Sequence, residues 1–166
     1  MIVNINDNNN LIAVIIPANY KAEGIEFFTP DSFSQQLAFM SHKKGKTIGA
    51  HVHNHNPREV VYTQEVLVIR KGKLRVDFYS DDREYLESRV LEKGDVILLA
   101  SGGHGFEALE DIEMIEIKQG PFCGEADKTR FVGVCKEKIV ISPAPFDKGE
   151  QKMVNKSPLV KGDLED

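Results

Sequence analysis

Three of the chain's five histidines, His51, His53 and His55, stand at alternate positions of the stretch KTIGAHVHNH. Side chains at i, i+2 and i+4 of an extended chain leave the same face. Thr47, Ile48, Ala50 and Val52 are the small and β-branched residues that favour a strand here, whereas a helix would scatter the imidazoles around its axis. Glu65 opens the apolar run EVLVIRK, on the face it shares with Leu67 and Ile69, and His104 starts another strand-like stretch in SGGHGFEAL. Imidazoles with one carboxylate make a mixed nitrogen and oxygen set that suits Fe(II), Mn(II), Zn(II) or Ni(II), with one or two coordination positions left for water or substrate.

The elements that must position these groups are short and recur along the chain. Apolar segments such as LIAVIIP, GIEFF, QQLAFMSH, KTIGAHVH, EVLVIRK, KLRVDFY, DVILLA, IEMIEIKQ and RFVGVCKEKIVI are separated by turn signals, a rhythm that predicts an all-β sandwich or barrel. Gly72 is placed for the positive φ of a tight hairpin between strands Glu65 to Arg70 and Leu74 to Tyr79, and SDDRE reads as the next turn. In KLRVDFY, Leu74, Val76 and Phe78 alternate with Arg75, Asp77 and Tyr79, which predicts one buried face and one that is wet or lines a pocket. Val66 and Val68 lie on the second face of an apolar strand and require a second layer, a partner subunit or the C-terminal extension to cover them. The one helix signal is a turn near TPDSFSQQL, with Thr29, Asp31 or Ser32 as caps.

With 166 residues, 41% hydrophobic and 28% charged, the chain is large enough for one domain with a real core. A net charge of −5 argues against a sequence-independent grip on phosphate backbones, so nucleic acid is not an expected partner. The segment MIVNINDNNNLIAVIIPANY lacks the charge and apolar pattern of a secretory signal, and its apolar run is too short to cross a bilayer. The expectation is a cytoplasmic protein with no membrane partner. Cys123 and Cys135 form no CxxC pair and read as free, partly buried thiols. From Ser142 onward, proline and charge predominate, and the stretch reads as a loose extension from which Phe146, Met153 and Val154 would dock on the domain or on a neighbour.

Gly45, five residues, His51-x-His53, and then Glu65, six residues, Gly72, resemble the two halves of the first motif of the cupins, here with a longer loop, NHNPREVVYT, between them. Gly94, five residues, then ASGGH resembles the second motif, with Ala100 in place of proline and His104 one residue early. The alternative register His53-x-His55 with Glu59 fails where Val66 stands in place of the turn glycine. The resemblance implies a double-stranded β-helix, or jelly-roll, barrel over residues 35–120. Strands in 1–34 would pack on the barrel or a dimer partner, 121–141 would form a closing strand region, and 142–166 the extension. It also implies a divalent transition metal held by His51, His53, Glu65 and His104, a homodimer, and a small polar ligand such as a sugar or carboxylate. The segment LLASGGHGFEALED is similar to small cupins that accompany bacterial polysaccharide and nucleotide-sugar biosynthesis.

Two other functions compete with this one. A metal-free sugar-nucleotide isomerase or epimerase would use His51 or His53 as its base, and a non-enzymatic module would bind or sense a sugar without turnover. Gln36, Tyr79, Glu116 and Lys118 are further candidates to line the barrel, and Arg58 and Glu59 to form a lid over it.

Overall fold

The computed structural model describes residues 1–121 and 123–143. Its strands are β1 (Val3–Asp7), β2 (Asn10–Ile16), β3 (Gly24–Phe27), β4 (Ala38–Ser41), β5 (Glu65–Lys71), β6 (Lys73–Tyr79), β7 (Tyr85–Glu92), β8 (Val96–Leu99), β9 (Gly103–Ala108) and β10 (Glu113–Lys118). They pair antiparallel into a five-stranded sheet of order β1-β2-β8-β5-β10, a three-stranded sheet of order β7-β6-β9, and a separate hairpin β3-β4. The all-β class is therefore correct, and among the described residues helix is limited to two 3₁₀ turns, Gly124–Asp127 and Lys136–Lys138.

The two larger sheets face each other across one core, because period-two alternation gives each an apolar inner face. Leu67 and Ile69 of β5, Ile97 and Leu99 of β8, and Ala13 and Ile15 of β2 meet Leu74, Val76, Phe78 and Leu91 of the three-stranded sheet. The outer face of the five-stranded sheet is apolar as well. Val14, Val66 and Leu98 are covered there by Phe28, Phe33 and Leu37, so the second layer over Val66 comes from the chain's own N-terminal region. That region is a turn and not a helix: Gln36 holds it closed by donating to the Pro30 and Phe33 carbonyls, while Thr29 Oγ1 donates to Gln36 Oε1.

Four expectations need correction. Gly72 has the anticipated positive φ, 78°, but it is a corner and not a hairpin. β5 pairs with β8 and β10, β6 pairs with β7 and β9, and the single residue between them passes the chain from one sheet to the facing one. A one-residue link is too short to return antiparallel neighbours. The segment KTIGAHVH forms no strand, because among the described residues no neighbouring edge supplies its backbone with hydrogen-bond partners. RFVGVCKEKIVI likewise forms a strap, bridged to β7 only at Ile141. Val134 N donates to the Tyr79 hydroxyl, and Val140 N to the Tyr85 hydroxyl. Cys123 and Cys135 are free, but both are exposed, since the strap carrying Cys135 lies on the surface.

The strap also accounts for the second face of β6. Arg75, Asp77 and Tyr79 point neither into solvent nor into an open pocket but into a polar layer beneath residues 131–142. Asp77 accepts from Arg75 Nε at 2.8 Å and Nη2 at 3.0 Å, and from Ser88 Oγ at 2.5 Å. Ser88 in turn uses its backbone to hold Val140 and Ser142. Phe146, Met153 and Val154 lie outside the described residues.

Candidate functional site

Glu65 and His104, far apart in sequence, meet across the two sheets. Glu65 heads β5 on the inner face it shares with Leu67 and Ile69, as their alternation requires. His104 pairs with Phe78 of β6 and so leaves β9 on the same inner face as that buried ring. The two side chains together span much of the roughly 10 Å between facing sheets, and His104 Nε2 comes to 3.4 Å from Glu65 Oε2. Their side chains are 30% and 17% exposed, so the pair sits at an opening of the core and remains reachable from solvent.

Lys118 completes the cluster. It pairs opposite Glu65 on β10, with Nζ 3.6 Å from Glu65 Oε1 and 3.8 Å from Glu116 Oε1. The His104 imidazole, by hydrogen bonding, is the main influence holding the Glu65 carboxyl below the ordinary glutamate range. Partial burial pushes the other way, and the charges of His104 and Lys118 reinforce the lowering. Phe106, next on the inner face of β9, lies beside the His104 ring at 5.1 Å between centroids.

The histidine segment is elsewhere. His51, His53 and His55 are exposed in an irregular stretch between β4 and β5. The His51 and His53 rings still lie edge to face with centroids 5.3 Å apart, and His51 Nδ1 is 2.9 Å from the Gly49 carbonyl. The four expected ligands therefore fall into two pairs, Glu65 with His104 and His51 with His53. Each pair has donor chemistry suited to a divalent metal, but among the described residues no three His, Cys, Asp or Glu side chains come together as a metal-binding group.

Of the other candidates, Lys118 and Glu116 belong to the cluster, whereas Tyr79 supports the strap and Gln36 the N-terminal turn. Arg58 and Glu59 are exposed in the histidine segment, with Arg58 Nη1 3.5 Å from the Asn56 carbonyl. A groove of about 490 Å³ lies away from the cluster, against Ile15, Ala18, Arg89 and Lys93. It contains neither histidine nor cysteine, so the site is better marked by the Glu65 and His104 pair than by cavity size.

Sequence reasoning did not find the Arg75, Asp77 and Ser88 network. Its available signal was the charged pair at alternate positions of an otherwise apolar strand. Neither a family model, nor a curated protein, nor a solved structure matches this chain.

Proposed function

We propose that this chain is a cupin-like, metal-binding barrel protein whose centre takes a small polar ligand such as a sugar or carboxylate. The observation that carries the reading is the 3.4 Å approach of His104 to Glu65 across two sheets, at an opening of the core. The two residues singled out by motif spacing, 39 positions apart in sequence, are in contact. His51 and His53, already 5.3 Å apart between ring centroids, supply the two further donors once their segment closes on the opening. A divalent transition metal held by these four groups would supply Lewis-acid or oxygen-activating chemistry. In this reading the chain contributes Glu65, kept ionised by its neighbours, Lys118 beside it as a cation for an anionic ligand, and Phe106 as an apolar wall.

A second reading has its own observation. A carboxylate against an imidazole is the arrangement that orients and polarises a histidine for proton transfer, and within one chain Glu65 and His104 are already so arranged. In that reading His104, and not His51 or His53, is the base of a metal-free isomerase or epimerase.

Elemental analysis separates the two. Protein purified without chelator or histidine tag, then reconstituted with Fe(II), Mn(II), Zn(II) or Ni(II), is compared with His51→Ala, Glu65→Ala and His104→Ala. Near-stoichiometric metal that is lost in all three variants supports the metal centre. A wild type that takes up no metal overturns it and leaves the proton-transfer dyad.

A further inference from the structure

Away from the Glu65 and His104 opening, the sandwich has a second side on which the outer strands of the facing sheets, β1 and β7, run next to each other. The groove of about 490 Å³ lies along it, between Val3, Ile15, Pro17 and Ala18 on one wall and Arg89 to Lys93 on the other. At one end Ala18 N donates to Asp95 Oδ1 at 2.8 Å and draws the walls together. At the other end the described chain stops. Ile141, Ser142 and Pro143 themselves line the groove, and Arg89 Nη1 donates to the Pro143 carbonyl.

Those last residues have already begun a strand. Ser88 N donates to the Val140 carbonyl and Ser142 N to the Ser88 carbonyl, the two bonds of a parallel rung that pairs Ser88 with Ile141. Ile141 thus shares the outer face of β7 with Ser88, and Ser142 takes the inner face with Glu87 and Arg89, where its hydroxyl donates to Glu87 Oε2 at 3.1 Å. Val90 comes next on this edge, because alternate residues of a strand turn their N–H and C=O to the same side. Glu92 ends the edge, giving its N–H to Asp95 Oδ2 and accepting from Asp95 N on its carbonyl. The edge therefore offers one further rung, Val90 with Pro143.

The sequence Ser142-Pro-Ala-Pro-Phe146 has the register this rung requires. Ser142 and Ala144 are the residues whose backbone turns to β7, and each has an N–H to give. Pro143 and Pro145 have none, and they fall where the backbone faces away, the positions at which an edge strand accepts proline. Side chains alternate as well, so Ala144 and Phe146 follow Ser142 to the inner side. Four residues of extended chain cover about 13 Å, which carries Phe146 from the level of Arg89 to that of Lys93, at the end of the groove walled by Pro17 and Ala18.

We infer that residues 144–146 continue this rung within their own chain, as a short parallel strand on β7. The Val90 N–H is given to the Ser142 carbonyl, the Ala144 N–H to the Val90 carbonyl, and the Phe146 ring is seated in the groove against Pro17 and Leu91. The chain's own tail is the occupant because Pro143 is already held at the groove wall and Phe146 is only three residues further on. A second copy would have to bring its strand to an edge whose first rung this chain already fills. The inference is independent of the chemistry at Glu65 and His104, which lie toward the opposite edges, β10 and β9.

Amide hydrogen exchange of the full chain, read residue by residue by NMR at a low and a high protein concentration, tests it. The Val90 and Ala144 amides are expected to exchange as slowly as those of Ser88 and Ser142 at both concentrations. Ala144→Pro removes the donated N–H and Phe146→Ser the seated ring, and each should return the Val90 amide to fast exchange while the Ser88 amide stays slow. Pro145→Ala, at a position that faces away, and Phe146→Leu should leave Val90 slow. A Val90 amide that exchanges fast in the wild type, or that Ala144→Pro leaves slow, overturns the strand. Slow exchange that survives Phe146→Ser overturns the seating of the ring, and slow exchange lost in Pro145→Ala overturns the register. Protection that appears only at the high concentration would seat the tail in a second copy, and overturns docking within the chain.

Discussion

Replacing Asp77 with alanine should cost about 3 kcal/mol of folding stability. Asp77 is 7% exposed and Ser88 is fully buried, and Asp77 accepts both a two-pronged contact from Arg75 and the Ser88 hydroxyl. Removing one partner of a buried charge pair typically costs about 3–5 kcal/mol, because the other charge is left behind. The low end applies here, since Arg75 keeps a second carboxylate, Glu107, on Nη1. For a domain of this size that is a fall in Tm of about 6–12 °C. Urea denaturation gives the free energy directly, and Asp77→Asn separates charge from hydrogen bonding by keeping an acceptor for Ser88.

The pH dependence tests the cause. Burial opposes ionisation of Asp77, but Arg75 and Ser88 outweigh it and hold the carboxyl below its ordinary value of 3.8. A folded pKa below the unfolded one gives stability that is fully present above the unfolded pKa and lost as pH falls through the folded value. The difference between wild type and Asp77→Asn should therefore be flat from pH 8 to pH 5 and shrink below about pH 4. A loss under about 1 kcal/mol for Asp77→Ala, or a difference that persists undiminished into acid, would refute the idea that an ionised Asp77 ties the strap to β6.

Gly72→Ala should destabilise by at least about 2 kcal/mol, since a side chain at φ 78° is strained and its Cβ would enter the space of the Asp111 carbonyl; thermal unfolding reads this directly. Leu98→Ala, on the fully buried outer face beneath Phe28 and Phe33, should cost about 3 kcal/mol in urea denaturation. Glu65→Gln should lower stability by about 1 kcal/mol above pH 5, the contact being only partly buried. Because the folded carboxyl titrates below its unfolded value, that loss should fade as pH falls through the glutamate range, which a pH series of melting curves would show.

The strands legible in the sequence are those whose alternation is complete within one segment. β6 and β8 announce themselves because their inner residues are all apolar, and so does the doubly apolar β5. β1 was hidden because in VNIND the positions facing away from the core are asparagines, and the turn that pairs it with β2 relies on Asn8 at φ 53°, a conformation asparagine tolerates. Gly72 was legible as a positive-φ residue but not as a corner, since a hairpin and a crossing between sheets ask the same freedom of the glycine and differ only in where the next strand finds its edge. Of the site, Glu65 and His104 were legible from spacing, and the structure supplies what spacing lacked, the placement of Lys118 opposite Glu65.

The histidine segment shows why a strand pattern is not a strand. Thr47, Ile48 and Val52 have the propensity, and the alternation puts the imidazoles on one side, but a β-strand has no internal hydrogen bonds, so its backbone must be satisfied by a neighbour. A helix carries its partners within itself, and its pattern alone can predict its structure. For an extended segment the pattern predicts only what will form if an edge is supplied. Here the β9 edge beside His104 is unpaired among the described residues, and the histidine segment makes no hydrogen bond to it. The pattern therefore marks a segment able to form a strand, and the supply of an edge, not the alternation of its histidines, decides whether it does.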